Sequence, residues 1–75
     1  MVSPISALKQ GHAGKISSFT DEQIAGKLMT MGVLPGSFVK LVRVAPFKGG
    51  YYLKVDGMVM VVREKEASTI VLEVQ

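Results

Sequence analysis

The sequence predicts a mostly β fold, a small closed or half-closed barrel of five short strands, with one α-helix between the first two strands and a brief helical turn before the last. Three observations carry this reading. Short β-rich runs recur at regular spacing, separated by Gly, Pro and Asp-Gly turn signals. A single run has helical period, and it carries start and stop signals at its two ends. The strands do not alternate with helices in the way that parallel crossover units require, and closure would remove the exposed edges that so apolar a set of strands would otherwise present.

The elements follow in order. Pro4 to Gly11 reads as one turn of helix or an extended arm, with Ile5 and Leu8 three apart. Gly14 to Phe19 alternates as a first strand with Ile16 inward. Thr20 with Gln23 fits a capping box, Phe19 can staple onto Ile24, and Ile24, Leu28 and Met31 recur on one helical face. Asp21 and Glu22 suit the positive end of the helix dipole. Gly32 supplies a left-handed stop, and Pro35-Gly36 a tight turn into the next strand. Ser37 to Ala45 is a long β-rich run with apolar residues on both parities, which suits a strongly bent strand shared by two halves of a barrel; Pro46 closes it. Lys48-Gly49-Gly50 is a turn, and Tyr51 to Asp56 a strand with Tyr51, Leu53 and Val55 on one face. Asp56-Gly57 is the strongest hairpin signal, and Met58 to Arg63 pairs back. Glu64 to Ser68 forms a helical turn, and Ile70, Leu72 and Val74 alternate in a closing strand.

A chain of 75 residues allows one domain, spanning 1–75, with a core too small to enclose an ordinary catalytic cleft. There is no cysteine, so disulfides and thiolate metal sites are excluded and a reducing, cytoplasmic setting is expected. Met1-Val2-Ser3-Pro4 lacks the basic and apolar pattern of a signal peptide, and no apolar run approaches the roughly 20 residues that span a bilayer. The net charge of +3 comes from singly scattered basic residues. Apolar content is the less ordinary property: 48% with a mean hydropathy of +0.34 leaves side chains near water in so short a chain. Part of that surface is expected to meet a partner, and it leaves self-association open.

No reactive centre is legible. His12 is the lone histidine, between glycine- and alanine-rich neighbours, and the six carboxylates are dispersed. No metal ligand is assigned, since a stable transition-metal site gathers three or four donors; a divalent ion could be held only weakly or shared across an interface. The serines have only His12 as a base, the glycines lack phosphate-loop spacing, and Glu64 and Glu66 point apart on a helical turn, so neither a catalytic residue nor a cofactor is assigned. A nucleic-acid surface would draw on Tyr51, Tyr52, Lys40, Arg43 and Lys54, but neighbouring tyrosines on a strand face opposite sides. Apolar docking is the remaining chemistry. Met29 lies off the main helical stripe, while Leu34 and Phe47 sit in loops where apolar side chains are unusual, and these three are the expected partner-binding residues.

The order and spacing of several short signals resemble the FeoA family. They run from Ile5-Ser6-Ala7-Leu8-Lys9-Gln10-Gly11 through Gly14-Lys15-Ile16, Leu28-Met29-Thr30-Met31-Gly32-Val33-Leu34-Pro35-Gly36, Val39 to Pro46 and Val55-Asp56-Gly57 to Arg63, Glu66-Ala67, Ile70 and Val74. The resemblance covers essentially the whole chain. It implies an SH3-like barrel, non-catalytic, acting in the cytoplasm in ferrous iron uptake beside FeoB, a membrane transporter with a GTP-hydrolysing cytosolic domain. Family members are often labelled metal-binding, and no residue here is carried over as a ligand. At Ala45-Pro46-Phe47-Lys48-Gly49-Gly50 the chain departs from the family's Ala-Pro-Leu-Gly-Asp-Pro, exchanging an acidic, proline-fixed loop for a basic one. The same barrel is similar to the C-terminal domain of DtxR-type metal-dependent repressors, which is one alternative; a small nucleic-acid-binding barrel is the other.

Overall fold

Asp21 stands where extended backbone gives way to helix, and its carboxylate accepts the backbone N–H groups of Gln23 and Ile24 at 2.9 and 3.0 Å. These are donors that a helix start would otherwise leave bare. The first helix, α1, runs Glu22–Thr30 from that cap. The cap lies one residue later than the Thr20 capping box expected from the sequence, because Asp21 takes the β conformation that a cap needs (φ −131°) and brings its own acceptor. The exit is a Schellman motif. Gly32 is left-handed (φ +92°), its N–H donates to Met29, and the Val33 N–H reaches back to Leu28 at 3.0 Å. Leu28 and Val33, the apolar pair this motif brings together, are both wholly buried.

The structure is a computed structural model describing residues 1–74. Six strands form one antiparallel sheet: β1 Val2–Pro4, β2 Ala13–Phe19, β3 Phe38–Val44, β4 Tyr51–Val55, β5 Met58–Val62 and β6 Ile70–Val74. Their order is β1-β6-β2-β3-β4-β5. A second helix, α2, spans Glu64–Thr69 directly before β6. This is the SH3-like arrangement, with the helix between the first two long strands and the short helix before the last, as expected. The strand count is six instead of five. Val2–Pro4 pairs with β6 (Val2 opposite Glu73, Pro4 opposite Val71), and a 3-10 turn over Ile5–Ala7 then drops Ile5 into the core. Three residues ending in proline are too few to show a period of two, and an edge is where a strand tolerates proline.

Bulges make the sheet bend. The register shifts between Ile16 and Ser18 against β6 and between Leu41 and Arg43 against β4. In β3 the shift explains apolar residues on both parities: Val39 and Leu41 are buried, whereas Val42 beyond them turns outward. β4 keeps strict alternation, with Tyr51, Leu53 and Val55 inside. Asp56 and Gly57 are both left-handed (φ +46° and +89°), the signature of a type I′ hairpin. Pro35 and Gly36 occupy the centre of a turn closed by the Ser37 N–H on Leu34, with Gly36 at φ +88°.

Met31 departs from the expected stripe. The helix ends at Thr30 and Met31 becomes its C-cap, so the inward face is Ala25 and Leu28 with Ile24 half-buried, and Met31 emerges at the surface. Gly14 does different work from the turn glycines: a Cβ there would strike the backbone carbonyl of Glu73 on β6, the strand beside it. Gly14→Ala is therefore expected to force the central β2–β6 pair apart and destabilise the protein by about 1–3 kcal/mol. Asp21→Ala is expected to remove about 1 kcal/mol. Urea denaturation of the two variants measures both losses.

Candidate docking surface

A chain so rich in apolar residues cannot bury them all; besides Met1 and Val2 at the N-terminal edge and Phe38 and Val42 on β3, those left outside include three groups. At the helix exit, Met29 and Leu34 are 41% and 47% exposed. On the 3-10 turn after β3, Phe47 is fully exposed at 103%. On β5, Val59 and Val61 are 66% and 52% exposed. Met29 and Leu34 flank the same Schellman exit. Leu34 precedes β3 and Phe47 follows it, so a seven-residue strand lies between them, up to roughly 20 Å at about 3.3 Å per residue. The structure thus groups two of the three expected docking residues and sets Phe47 at the other end of β3.

Phe47 is held there against local preference. Its backbone is left-handed (φ 58°, ψ 27°), and Lys48 follows at φ 54°. Such geometry costs roughly 1–2 kcal/mol for a residue other than glycine. The left-handed residues of this loop are Phe47 and Lys48 and not its glycine Gly49, which has an ordinary φ of −70°. The surroundings clamp it. The Lys48 and Gly49 N–H groups donate to Ala45 and Pro46 at 3.1 Å, and the Ala45 N–H donates to Gly50 at 2.8 Å. Gln10 accepts the Val44 N–H, and Lys48 faces Glu64 at 3.4 Å in an exposed, weak ion pair. Gly50 is packed beneath Val61, whose Cγ1 would lie 3.0 Å from an added Cβ.

A half-open groove of about 560 Å3 separates α1 from the start of α2 and the end of β5; Ile24, Lys27, Met31, Val61, Arg63, Lys65 and Glu66 line it. Glu66 bridges the two helices. Its carboxylate accepts the Arg63 backbone N–H at 2.8 Å and the Lys27 ammonium at 3.1 Å. The Arg63 hydrogen bond first, and Lys27 after it, hold this carboxyl below its ordinary value of 4.5 against the opposing effect of burial.

The residues considered for other chemistry are dispersed. His12 is exposed, and its backbone pairs with Leu41 and Lys9. Among the described residues no three His, Cys, Asp or Glu side chains gather where they could hold a metal ion. Tyr51 is a core residue with a long 3.4 Å hydrogen bond to Glu64, which withdraws it from any base-stacking face; Tyr52 faces outward with Arg43 over its ring at 5.1 Å. Lys40 and Lys54 lie directly opposite each other on β3 and β4. Among the described residues no helix is long and apolar enough to cross a membrane.

A family model described as the FeoA domain matches residues 3–74. The chain belongs to the FeoA family. Solved structures of similar fold include a crystal structure of an iron uptake regulatory protein, FeoA, at 21% identity and a TM-score of 0.87, covering 100% of this chain and 99% of that one. The FeoA protein of Chlorobium tepidum matches at 28% identity and a TM-score of 0.81, covering 93% of this FeoA-family chain and 69% of its own. A manganese-dependent transcriptional repressor in complex with manganese shares the fold at 16% identity and a TM-score of 0.89, covering 99% of this chain but 37% of the repressor. No protein of curated function matches the sequence. Family membership supports a role in ferrous iron transport, and the repressor likeness is one of fold.

Sequence reasoning did not single out Met31, which it placed in the core, nor Val59 and Val61. The available signal was the run Met58-Val59-Met60-Val61-Val62, apolar on both parities in a strand whose hairpin supplies one neighbour only. Because the folded-state pKa of Glu66 is depressed, its contribution to stability is present above 4.5 and is lost as pH falls through the lower folded value. The stability difference between the parent protein and Glu66→Gln is expected to be greatest at neutral pH and to vanish in acid. Urea midpoints across that range measure it.

Proposed function

We propose that this chain is a cytoplasmic accessory protein of ferrous iron uptake that docks onto the cytosolic, GTP-hydrolysing part of a FeoB-type membrane transporter. Met29, Leu34 and Phe47 make the contact. The role is that of an adaptor, not of an enzyme: the barrel supplies a rigid frame, and the partner supplies the chemistry. Membership of the FeoA family supports the transport setting. The observation that carries the docking reading is Phe47, a large apolar side chain turned fully to water on a left-handed backbone that the rest of its loop clamps in place. Strain retained at an exposed aromatic is what a contact residue calls for and what a packing residue does not. The separation of Phe47 from Met29 and Leu34 gives the contact two footholds, one at each end of β3.

Phe47→Asn separates function from folding. Asparagine accepts the left-handed conformation more readily than phenylalanine, and an exposed ring forfeits no packing, so stability is expected to hold or to rise by up to about 1 kcal/mol. Calorimetric titration against the transporter's cytosolic domain is expected to show at least a tenfold loss of affinity for Phe47→Asn, as for a hot-spot residue. The double variant Met29→Asp with Leu34→Asp is expected to lose as much. Unchanged affinity in both variants, or no binding by the parent protein, would defeat the reading.

A further inference from the structure

The hairpin register fixes which backbone groups of β5 are free. In a two-residue type I′ hairpin the flanking residues, Val55 and Met58, form a hydrogen-bonded pair across Asp56-Gly57. Alternation along the ladder then makes Lys54 with Val59 and Tyr52 with Val61 the non-bonded pairs. The Asp56 N–H donates to Phe38 on β3, which agrees with even-numbered residues of β4 facing β3 and odd-numbered ones facing β5. Met58, Met60 and Val62 therefore spend their N–H and C=O groups on β4. Those of Val59 and Val61 point away from the sheet, and among the described residues no strand pairs with that side of β5.

This edge has none of the usual protections. Met58-Val59-Met60-Val61-Val62 contains no charge, no proline and no bulge, and its two outward-bonding residues also expose their side chains. Val61 also borders the half-open groove in front of α1. By contrast β1, the opposite edge, is three residues long and ends in proline.

We propose that the free edge of β5 pairs antiparallel with β5 of a second copy of this chain, about a two-fold axis through Met60. In that register Val59 falls opposite Val61 of the second copy, and Val61 opposite its Val59. All four residues are those with outward-facing N–H and C=O groups, so each facing pair can exchange two hydrogen bonds. The pairing is self-complementary, as a two-fold interface requires. The choice of a second copy over a foreign strand rests on that symmetry and on charge. The molecule carries a net +3, and two copies repel wherever lysines and arginines meet, whereas β5 meets β5 with no charged side chain in the paired segment. The valines of both copies then cover one another on the outer face. A five-residue strand pair buries less than the roughly 1,000 Å2 of a stable interface, so the dimer is weak and concentration-dependent.

Sedimentation equilibrium over a concentration series, with amide exchange read residue by residue, tests this. The parent protein is expected to pass from monomer to dimer as concentration rises, with the Val59 and Val61 amides gaining protection in step. Val61→Lys places a charge on the edge, and Val59→Pro deletes an outward N–H without removing a β4–β5 hydrogen bond. Both are expected to remain monomeric at every concentration with an unchanged far-ultraviolet circular dichroism spectrum. A parent protein that stays monomeric throughout would overturn the proposal. So would a dimer in which Val59 and Val61 exchange as in the monomer, which would place the contact elsewhere, or as strong an association in Val61→Lys.

Discussion

Surface-to-volume ratio is the constraint on which this molecule turns. A 75-residue chain encloses a core about one side chain deep, yet 48% of its residues are apolar. Ile5, Leu28, Leu41, Leu53, Ile70 and Leu72 are wholly buried and fill that core. What cannot fit is left on the surface, and three of the places where it lies are the exit of α1, the turn after β3 and the free edge of β5. Among the described residues no three potential metal-ligating side chains gather, and these sites offer apolar surface for contact.

The frame that holds those sites is built from short, mutually dependent pieces. The Schellman exit of α1 buries Val33 beside Leu28, and by doing so fixes where Leu34 leaves the surface and where β3 begins. Glu66 ties α1 to α2 through Lys27 and, through the Arg63 N–H, starts α2 where β5 ends. The β3 bulge lets one strand face the core along its first half and turn Val42 out beyond it. Phe47 depends on all of this, because its left-handed backbone persists only while Ala45, Pro46 and Gly50 hold their hydrogen bonds.

Much of the fold was legible because its signals are local. Gly32, the Pro35-Gly36 turn, the Asp56-Gly57 hairpin and the alternation of Tyr51, Leu53 and Val55 each act within a few residues, and each appears where the pattern put it. The misreadings came from features that need a distant partner or a choice between neighbours. β1 exists only because β6 lies beside it, and nothing within Val2-Ser3-Pro4 announces a strand. Thr20 and Asp21 both fit a helix cap, and backbone geometry chose Asp21. Met31 matched the helical period, but the helix stopped one residue short of it. The reason for Gly14 lies across the sheet, in the carbonyl of Glu73. At the surface, Met29, Leu34 and Phe47 stood out because apolar residues are unexpected off a core stripe or in loops. The free edge of β5 could be recognised only after the strand order was known.

Contact in place of chemistry is the central claim, and a nuclear magnetic resonance titration of the labelled chain with the cytosolic domain of a FeoB-type transporter tests it most directly. The account predicts amide perturbations concentrated around Met29, Leu34 and Phe47, with the core strands unmoved. Saturating partner with no perturbation at any of these residues would contradict it.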